Sequence, residues 1–385
     1  MNHIAAGLSI YRQSAELLEF RNDWERLVGE LVFSFPNFDQ LLWLIERRPD
    51  DFMLLVCRVD GHIVTLACFY RVAGHKSYGA GERRLFSLPV REVVLFGASM
   101  LGRVDAQTTF AVFTAVTAQF RFDVLTLGET RVDAPLFAQV HQLRHRFHVV
   151  ETSRKRSVRW LIRLPADFDA YLMTLGANSR QNIRRETRQL TKHFACEFLT
   201  VTTEAGVEPF LAAAESISRK TYQWNVGQRV LNDDLSRRSL TQRAQRGELR
   251  CYSLALNGQP CAFMRGSLVG GIFAFETAGF DPEFSKASPG AVLLMWAVRD
   301  LIENSACKIF DFGSGGDNVG YKARFGNESH SCAALQIGLR TRPYTLLLFG
   351  LQRTLHGLLN LANKAIGDGA FRIRVKRALR KYGEH

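Results

Sequence analysis

Apolar residues along the chain fall into two periods that alternate in a repeated order. In EFRNDWERLVGEL, Phe20, Trp24, Leu27 and Leu31 recur at helical spacing, which predicts an amphipathic helix. FMLLVCRVDGHIVTLACFYRV predicts two strands joined at Asp60-Gly61, a dipeptide that accepts the left-handed backbone of a two-residue hairpin turn. REVVLFG, DAQTTFAVFTAVTAQF and FDVLTLGE then predict strand, helix and strand. The same order returns in the second half. LRCYSLALNGQPCAFMRGSL is a hairpin turning at Asn257-Gly258, and GIFAFETAGFD (Gly271–Asp281) is aromatic and apolar enough for a buried strand. AVLLMWAVRDLI (Ala291–Ile302) places Leu294, Val298 and Leu301 on one helical face, and KIFDFGSG returns as a strand ending in Asp311. The hairpin turns lie about two hundred residues apart, the spacing of a duplicated domain.

The predicted class is therefore α/β (α+β), two related units with mixed sheets flanked by helices. Residues 1–150 form the first unit, 151–340 the second, and 341–385 a tail of different character. The junction holds Arg144, Arg146, Arg154, Lys155, Arg156, Arg159 and Arg163 around a crossing strand, SVRWLIRLP. After it, NSRQNIRRETRQLTKHF predicts a helix with Ser179 as N-cap. Arg180, Arg184, Arg188 and Lys192 recur there every fourth position, and Glu186, Asp167 and Asp169 are too few to neutralise them. That stripe reads either as an anion-binding face or as a solvated one. In the tail, Leu348, Leu351, Leu355, Leu358, Ala362 and Ile366 keep helical spacing, and Arg372, Arg374, Lys376, Arg377, Arg380 and Lys381 follow with no acid among them. This fits attachment to an anionic membrane surface, in which case truncation after Arg342 leaves the core folded. The alternative is a helix docked on the protein, its basic end in solvent.

Composition narrows the chemistry. With 385 residues, 46% apolar and 23% charged, the chain is an ordinary globular one long enough for two domains. The N-terminus carries no secretion signal and no uncharged run reaches spanning length, so the expected location is the cytoplasm or the inner face of its membrane. Seven scattered cysteines without CxxC spacing imply neither disulfides nor a metal site. A net charge of +13 points to an anionic partner: the phosphates of a cofactor, a nucleotide-linked substrate, RNA or a membrane surface. The expected acceptor is an anionic small molecule, glycan or lipid, and DNA is not expected. GxSxG and P-loop signatures are absent, and Cys68 and Cys261 lie in apolar strands that keep a thiol protonated.

Before the helix at Ala291, the loop PEFSKASPG places Ser288 at a plausible N-cap with Pro289 at the first helical position. A strand feeding a helix N-terminus through small residues makes an anion site, because free N–H groups and the helix dipole point at the ligand. An ordinary crossover helix without ligand would look the same.

From Leu249 to Gly326 the order of LALNGQPCAF, GFDP, the SPG-headed helix and DFGSGGDNVGYKARFG resembles the GNAT acetyltransferase fold. More narrowly it resembles the CelD-type proteins of cellulose biosynthesis and, at greater distance, the Fem aminoacyl transferases of peptidoglycan. The resemblance spans about Leu161 to Arg340. It implies tandem GNAT-like units, the first a degenerate copy lacking Tyr-Lys after its last strand. It also implies acyl-CoA (acetyl-CoA) as co-substrate without a metal, held by Lys286, Ala287, Ser288, Gly290 and Ala291. With one glycine and a proline, this loop departs from the family's Arg/Gln-x-x-Gly-x-Gly/Ala, which leaves an acyl-carrier-protein or aminoacyl-tRNA donor open.

Thioester acyl transfer needs a held donor, a deprotonated acceptor and a proton for the leaving thiolate. Glu276 stands where many GNAT enzymes place a base, and a carboxylate in an apolar strand favours proton acceptance. It reads equally as an exposed residue or a partner for an arginine. Tyr321 matches the family's proton donor. Lys322 could neutralise an oxyanion or a substrate phosphate. Asp311 closes the last strand, and its alternative role is capping the turn amides of Gly313 to Gly316. Arg184, Arg185, Tyr222 and Trp224 resemble acceptor-side positions, with core packing the competing reading for Trp224. Three functions follow. The first is acyl transfer to an amine or hydroxyl of a cell-surface polysaccharide, lipid or metabolite intermediate. The second is Fem-like transfer from aminoacyl-tRNA. The third is an inactive binding module of a polysaccharide machine.

Overall fold

A computed structural model describes residues 7–31, 33–80, 83–152, 156–221, 224, 229–314 and 319–366. The first unit runs β1 (Leu8–Tyr11), α1 (Ser14–Leu17), α2 (Arg21–Gly29), α3 (Phe38–Glu46), β2 (Phe52–Val59), β3 (His62–Ala80), β4 (Arg83–Leu95), β5 (Leu101–Gly102), α4 (Ala106–Gln119), β6 (Val124–Arg131), α5 (Pro135–Gln142) and β7 (Phe147–Glu151). The second runs β8 (Ser157–Arg163), α6 (Phe168–Thr174), α7 (Ala177–His193), β9 (Cys196–Val201), α8 (Val207–Lys220), α9 (Asp234–Gln245), β10 (Leu249–Leu256), β11 (Gln259–Val269), β12 (Ile272–Phe280), α10 (Pro289–Glu303), β13 (Ile309–Ser314), α11 (Val319–Phe325) and β14 (Glu328–Leu339). A last helix, α12, spans Pro343–Ile366.

The strands join in one mixed sheet, ordered β1-β2-β3-β4-β6-β14-β8-β13-β12-β11-β10-β9, with helices on both faces. It crosses the boundary expected near residue 150. β14 is the splice: it pairs with β8 through Glu328–Cys332 and with β6 through Cys332–Ile337. The repeat is visible as β2-β3-β4-α4-β6 against β10-β11-β12-α10-β13, each with an antiparallel hairpin followed by a parallel pair. Both hairpins turn as expected, Asp60-Gly61 at φ of 50° and 80° and Asn257-Gly258 at 52° and 80°.

Alternation sorts the second unit's side chains. Phe310, Phe312, Phe273 and Met264 face α6, α7 and α10, where Leu294, Val298 and Leu301 are fully buried. The opposite face carries Phe263 and Cys251 beneath α8 and α9, then Ile272, Ile309 and Leu161. Caps fix several helix starts: Asp105 accepts from Thr108 N–H, Asp167 from Ala170 N–H, and Asn37 exchanges bonds with Gln40 in a capping box. Ser179 caps nothing, because α7 begins two residues earlier after Gly176.

The tail divides. Thr345, Leu348 and Phe349 are buried against Tyr78, Val90 and Val124 of the first unit, and Tyr78 Oη donates to the Leu348 carbonyl at 2.9 Å. The start of α12 is therefore core, and truncation after Arg342 would open it. Side chains from Leu359 onward, including Ala362, Ile366 and the six cations from Arg372, lie outside the described residues, as do Arg154, Lys155, Tyr222, Gly315 and Gly316. Among the described residues no helix is long and apolar enough to cross a membrane.

Candidate active site

The site begins where β12 leaves β13. These strands pair in parallel only over Ile272–Ala274 and Ile309–Asp311. Beyond that point β12 pairs with β11 alone, and β13 turns toward β8. The outer edge of Phe275–Phe280 thus presents backbone groups without a sheet partner, which invites an extended ligand carrying amides. A β-bulge sits in the opened stretch: Gly266 faces Phe275 and Arg265 faces Thr277, so Glu276 is the extra residue.

At the rim, Pro282–Ala287 forms a 3-10 turn and Ser288 reverses the chain in the left-handed region, at φ 52°. Ser288 stands at the N-cap position of α10, but its side chain makes no cap bond. Its carbonyl accepts from Ala291 and Val292, and its N–H donates to Ser285. Pro289 has no N–H, which leaves Gly290 with the free amide of this turn. A Cβ on Gly290 would come within 3.3 Å of Phe280, so the rim is close-packed around the glycine. Lys286 is exposed one turn earlier, with Ala287 half-buried beside it.

Asp311 is saturated. Its fully buried carboxylate accepts from Arg159 Nη2 at 2.6 Å, from the Ser34 N–H at 2.7 Å and from the Gly313 N–H at 2.7 Å. Arg159 also donates to the Ser34 carbonyl and hydroxyl, at 3.1 and 2.8 Å. The pair clamps a first-unit loop to the end of β13. The expected cap on Gly313 is present, and the larger contact is with Ser34.

Lys322 points its ammonium at the carbonyls of Phe312, Ser314 and Gly313, at 2.7, 2.8 and 3.4 Å. Burial holds its pKa below the ordinary lysine value, with Asp311 opposing. Three committed N–H groups leave no spare donor for an oxyanion, so this arrangement holds the strand end. Gly320–Phe325 of GYKARFG lie in the helix α11, which aims Lys322 backward. Tyr321 stacks edge-on against Phe312 and Phe325, and burial pushes its phenol above the ordinary value.

Glu276 is not the lone carboxylate in an apolar strand that the sequence suggested. Arg243 Nη1 donates to it and Arg265 Nε lies 3.1 Å away. Trp224 is not core either: its ring is half-buried, with the guanidiniums of Arg219 and Arg229 at 4.8 and 5.1 Å from its centroid. Arg184 and Arg185 are exposed on α7, whose Ile183 and Leu190 pack on the α10 face. They are not brought to Glu276 and Asp311, which occupy the other face. Arg159, Ser34, Arg243 and Arg265 are the residues that sequence reasoning missed as site members. Arg265 left a trace, a lone charge in the apolar strand CAFMRGSL facing the strand of Glu276.

Residues 177–323 match the family described as an acetyltransferase (GNAT) domain. The chain carries a GNAT acetyltransferase-type domain. Its splayed strands and the α10 start lie within the matched GNAT residues. Among solved structures, "Crystal structure of FemX" is similar at a TM-score of 0.57 and 10% identity, covering 85% of this chain and 98% of that one. A C-terminal domain of a putative lysylphosphatidylglycerol synthetase from Agrobacterium fabrum gives 0.53 at 12%, covering 89% and 98%. A protein of unknown function from Bacteroides thetaiotaomicron gives 0.52 at 13%, covering 84% and 97%. At these identities the likeness shows the fold and no substrate. No curated protein matches the chain.

Proposed function

We propose that the chain moves an acyl group from acyl-CoA to an amine or hydroxyl of an anionic acceptor, an intermediate of a cell-surface polysaccharide, lipid or metabolite. The observation that carries this reading is the split between β12 and β13, an unpartnered strand edge leading to a free helix-start amide. The amide-bearing arm of CoA can pair with the edge of β12 as an added strand, with its phosphates toward Gly290 and Lys286. The acceptor nitrogen or oxygen attacks the thioester carbonyl and the carbon–sulfur bond breaks. Tyr321, kept protonated by burial, hands its proton to the thiolate and is reprotonated through water by the acceptor's lost proton. Lys322 and Asp311 hold the strand end and the Ser34 loop that frame the reaction. Calorimetry with acetyl-CoA, and thiol release with simple amines added, test the proposal. An absence of CoA binding refutes it, and binding without release marks an inactive module.

One observation favours a second reading, an aminoacyl-tRNA donor. Arg184, Arg185, Arg188 and Lys192 stand exposed on α7 with no ion pair among the described residues, and an RNA backbone is a polyanion that suits such a stripe. Membrane attachment is a further part of the proposal. Leu346, Leu347 and Leu358 are exposed on α12, and no acid occurs from Pro343 to Ile366. The six cations that follow in sequence would add electrostatic attraction to an anionic leaflet.

A further inference from the structure

We infer that the face of the second unit opposite α10 carries an oxyanion site, formed by Arg265 and Arg243 beside the Glu276 bulge, that holds a carboxylate or phosphate of the acceptor. The inference rests on the proposed transfer to an anionic acceptor.

Charge balance singles out the place. Arg159 and Asp311 neutralise each other. Arg21 and Arg246 are matched by Asp39 and Glu248, and Asn37 donates to Glu248. At the bulge the balance fails: two guanidiniums meet the single carboxylate of Glu276. Arg243 is committed through Nη1. The Arg265 side chain makes no hydrogen bond among the described residues. Its buried Nε lies 3.1 Å from Glu276 Oε2, but its N–H is not aimed at that oxygen. A buried donor without an acceptor is costly, and an arginine fork with free N–H groups takes an oxyanion through two parallel bonds.

The setting is a recess. The side chains of Arg243, Glu276 and Arg265 are 12%, 23% and 27% exposed, open to a ligand yet shielded from much of the screening felt by the α7 stripe. Arg265 shares a face of β11 with Phe263, two residues before it, which packs beneath α8, so its side chain emerges on the α8 and α9 face. Glu276 follows Ala274 on β12, the residue registered with Asp311, and the first-unit loop at Ser34 stands over Asp311. The recess therefore lies beside the split that receives the donor in the proposed function.

The experiment is calorimetric titration of the full chain with inorganic phosphate and, separately, with sodium acetate, at constant low ionic strength. Saturable binding by wild type is expected, and the tighter probe names the group. R265Q should weaken it about tenfold or more, the loss of a charge-assisted fork. It leaves Glu276 paired with Arg243, so the fold is retained, which circular dichroism and the melting temperature verify. R265K, with charge but no fork, should fall between. E276Q frees both guanidiniums and should tighten binding. R47Q, exposed at the end of α3 in the first unit, should change nothing. Equal affinity in R265Q and wild type overturns the proposal, as does weaker binding in E276Q. Phosphate that displaces acetyl-CoA would put the site on the donor side and also overturn it. Loss of acetyl-CoA binding alone, with phosphate binding intact, would instead count against the acyl-CoA reading.

Discussion

Asp311→Asn removes the charge at the point where the two units are tied together. The carboxylate is fully buried and receives Arg159 and two backbone N–H groups within 3.0 Å, while the Arg159 side chain is 13% exposed. Breaking a buried ion pair from one side costs about 3–5 kcal/mol, because the remaining charge stays desolvated. Arg159 keeps its bonds to the Ser34 carbonyl and hydroxyl, so the lower end, about 3 kcal/mol, is expected. At about 2.1 cal/mol/K of unfolding entropy per residue, a chain of 385 residues shifts its melting point by only about 4 °C for that loss. The sharper assay is amide exchange at Ser34, whose N–H loses its ionic acceptor. Exchange there should accelerate about a hundredfold, the equivalent of about 3 kcal/mol of local opening. Turnover should fall in step as the loop loosens, and Arg159→Lys should show the same pattern more weakly. If Ser34 exchange and melting stay unchanged while turnover drops more than tenfold, Asp311 acts on the reaction itself and the clamp reasoning is wrong.

Gly290→Val should weaken acetyl-CoA binding with little change in melting temperature, since the added carbon meets the exposed Phe280 ring; unchanged calorimetric affinity would remove the donor from this rim. Burial lowers Lys76 to about 8 from the ordinary 10.5, so between those values the native state holds fewer protons than the unfolded one and stability rises with pH. Urea midpoints at pH 7 and pH 9.5 should show that rise in wild type relative to Lys76→Met; parallel behaviour of the two would contradict it. Removal of residues 367–385 should leave the fold intact and reduce binding to vesicles containing phosphatidylglycerol, whereas truncation after Arg342 should unfold the first unit by exposing Tyr78, Val90 and Val124. Vesicle binding that survives removal of 367–385 would refute the role given to the basic tail.

Elements were legible where pattern and backbone chemistry agree. Asp60-Gly61 and Asn257-Gly258 turn as written because few other dipeptides tolerate two successive left-handed residues. α10 was readable because Pro289 suits a first turn and its apolar face has one period. The site was less legible, because its partners come from distant segments. Asp311 pairs with Arg159, 152 positions away, and with Ser34, 277 positions away. Glu276 answers to Arg243, 33 positions away on α9. Local sequence cannot report such partners, so a buried carboxylate reads as a free base until the fold supplies its arginines. The tail stayed open between its two readings for a related reason: an apolar helical face looks the same whether it meets lipid or the sheet face beneath α12.

The two copies also differ in the strand edge that each leaves open. In the second unit, β12 runs six residues past its last pairing with β13, and those residues form the free edge. In the first unit, β4 stops at Leu95, paired with Leu127 of β6 to its last residue, and the chain turns away at once. The extra length of β4 lies at the other end, in the arm Arg83–Arg91, which pairs with β3 and shelters the start of α12. A duplicated unit that pairs its strands to the end keeps the stability of the ladder but gives up the unpaired edge that a ligand could extend. The first copy is then left to supply walls: its Ser34 loop over Asp311, and β6 as partner for β14. Between the two central parallel pairs, only that of the second unit opens an edge among the described residues, and the Ser34 loop beside it belongs to the other copy.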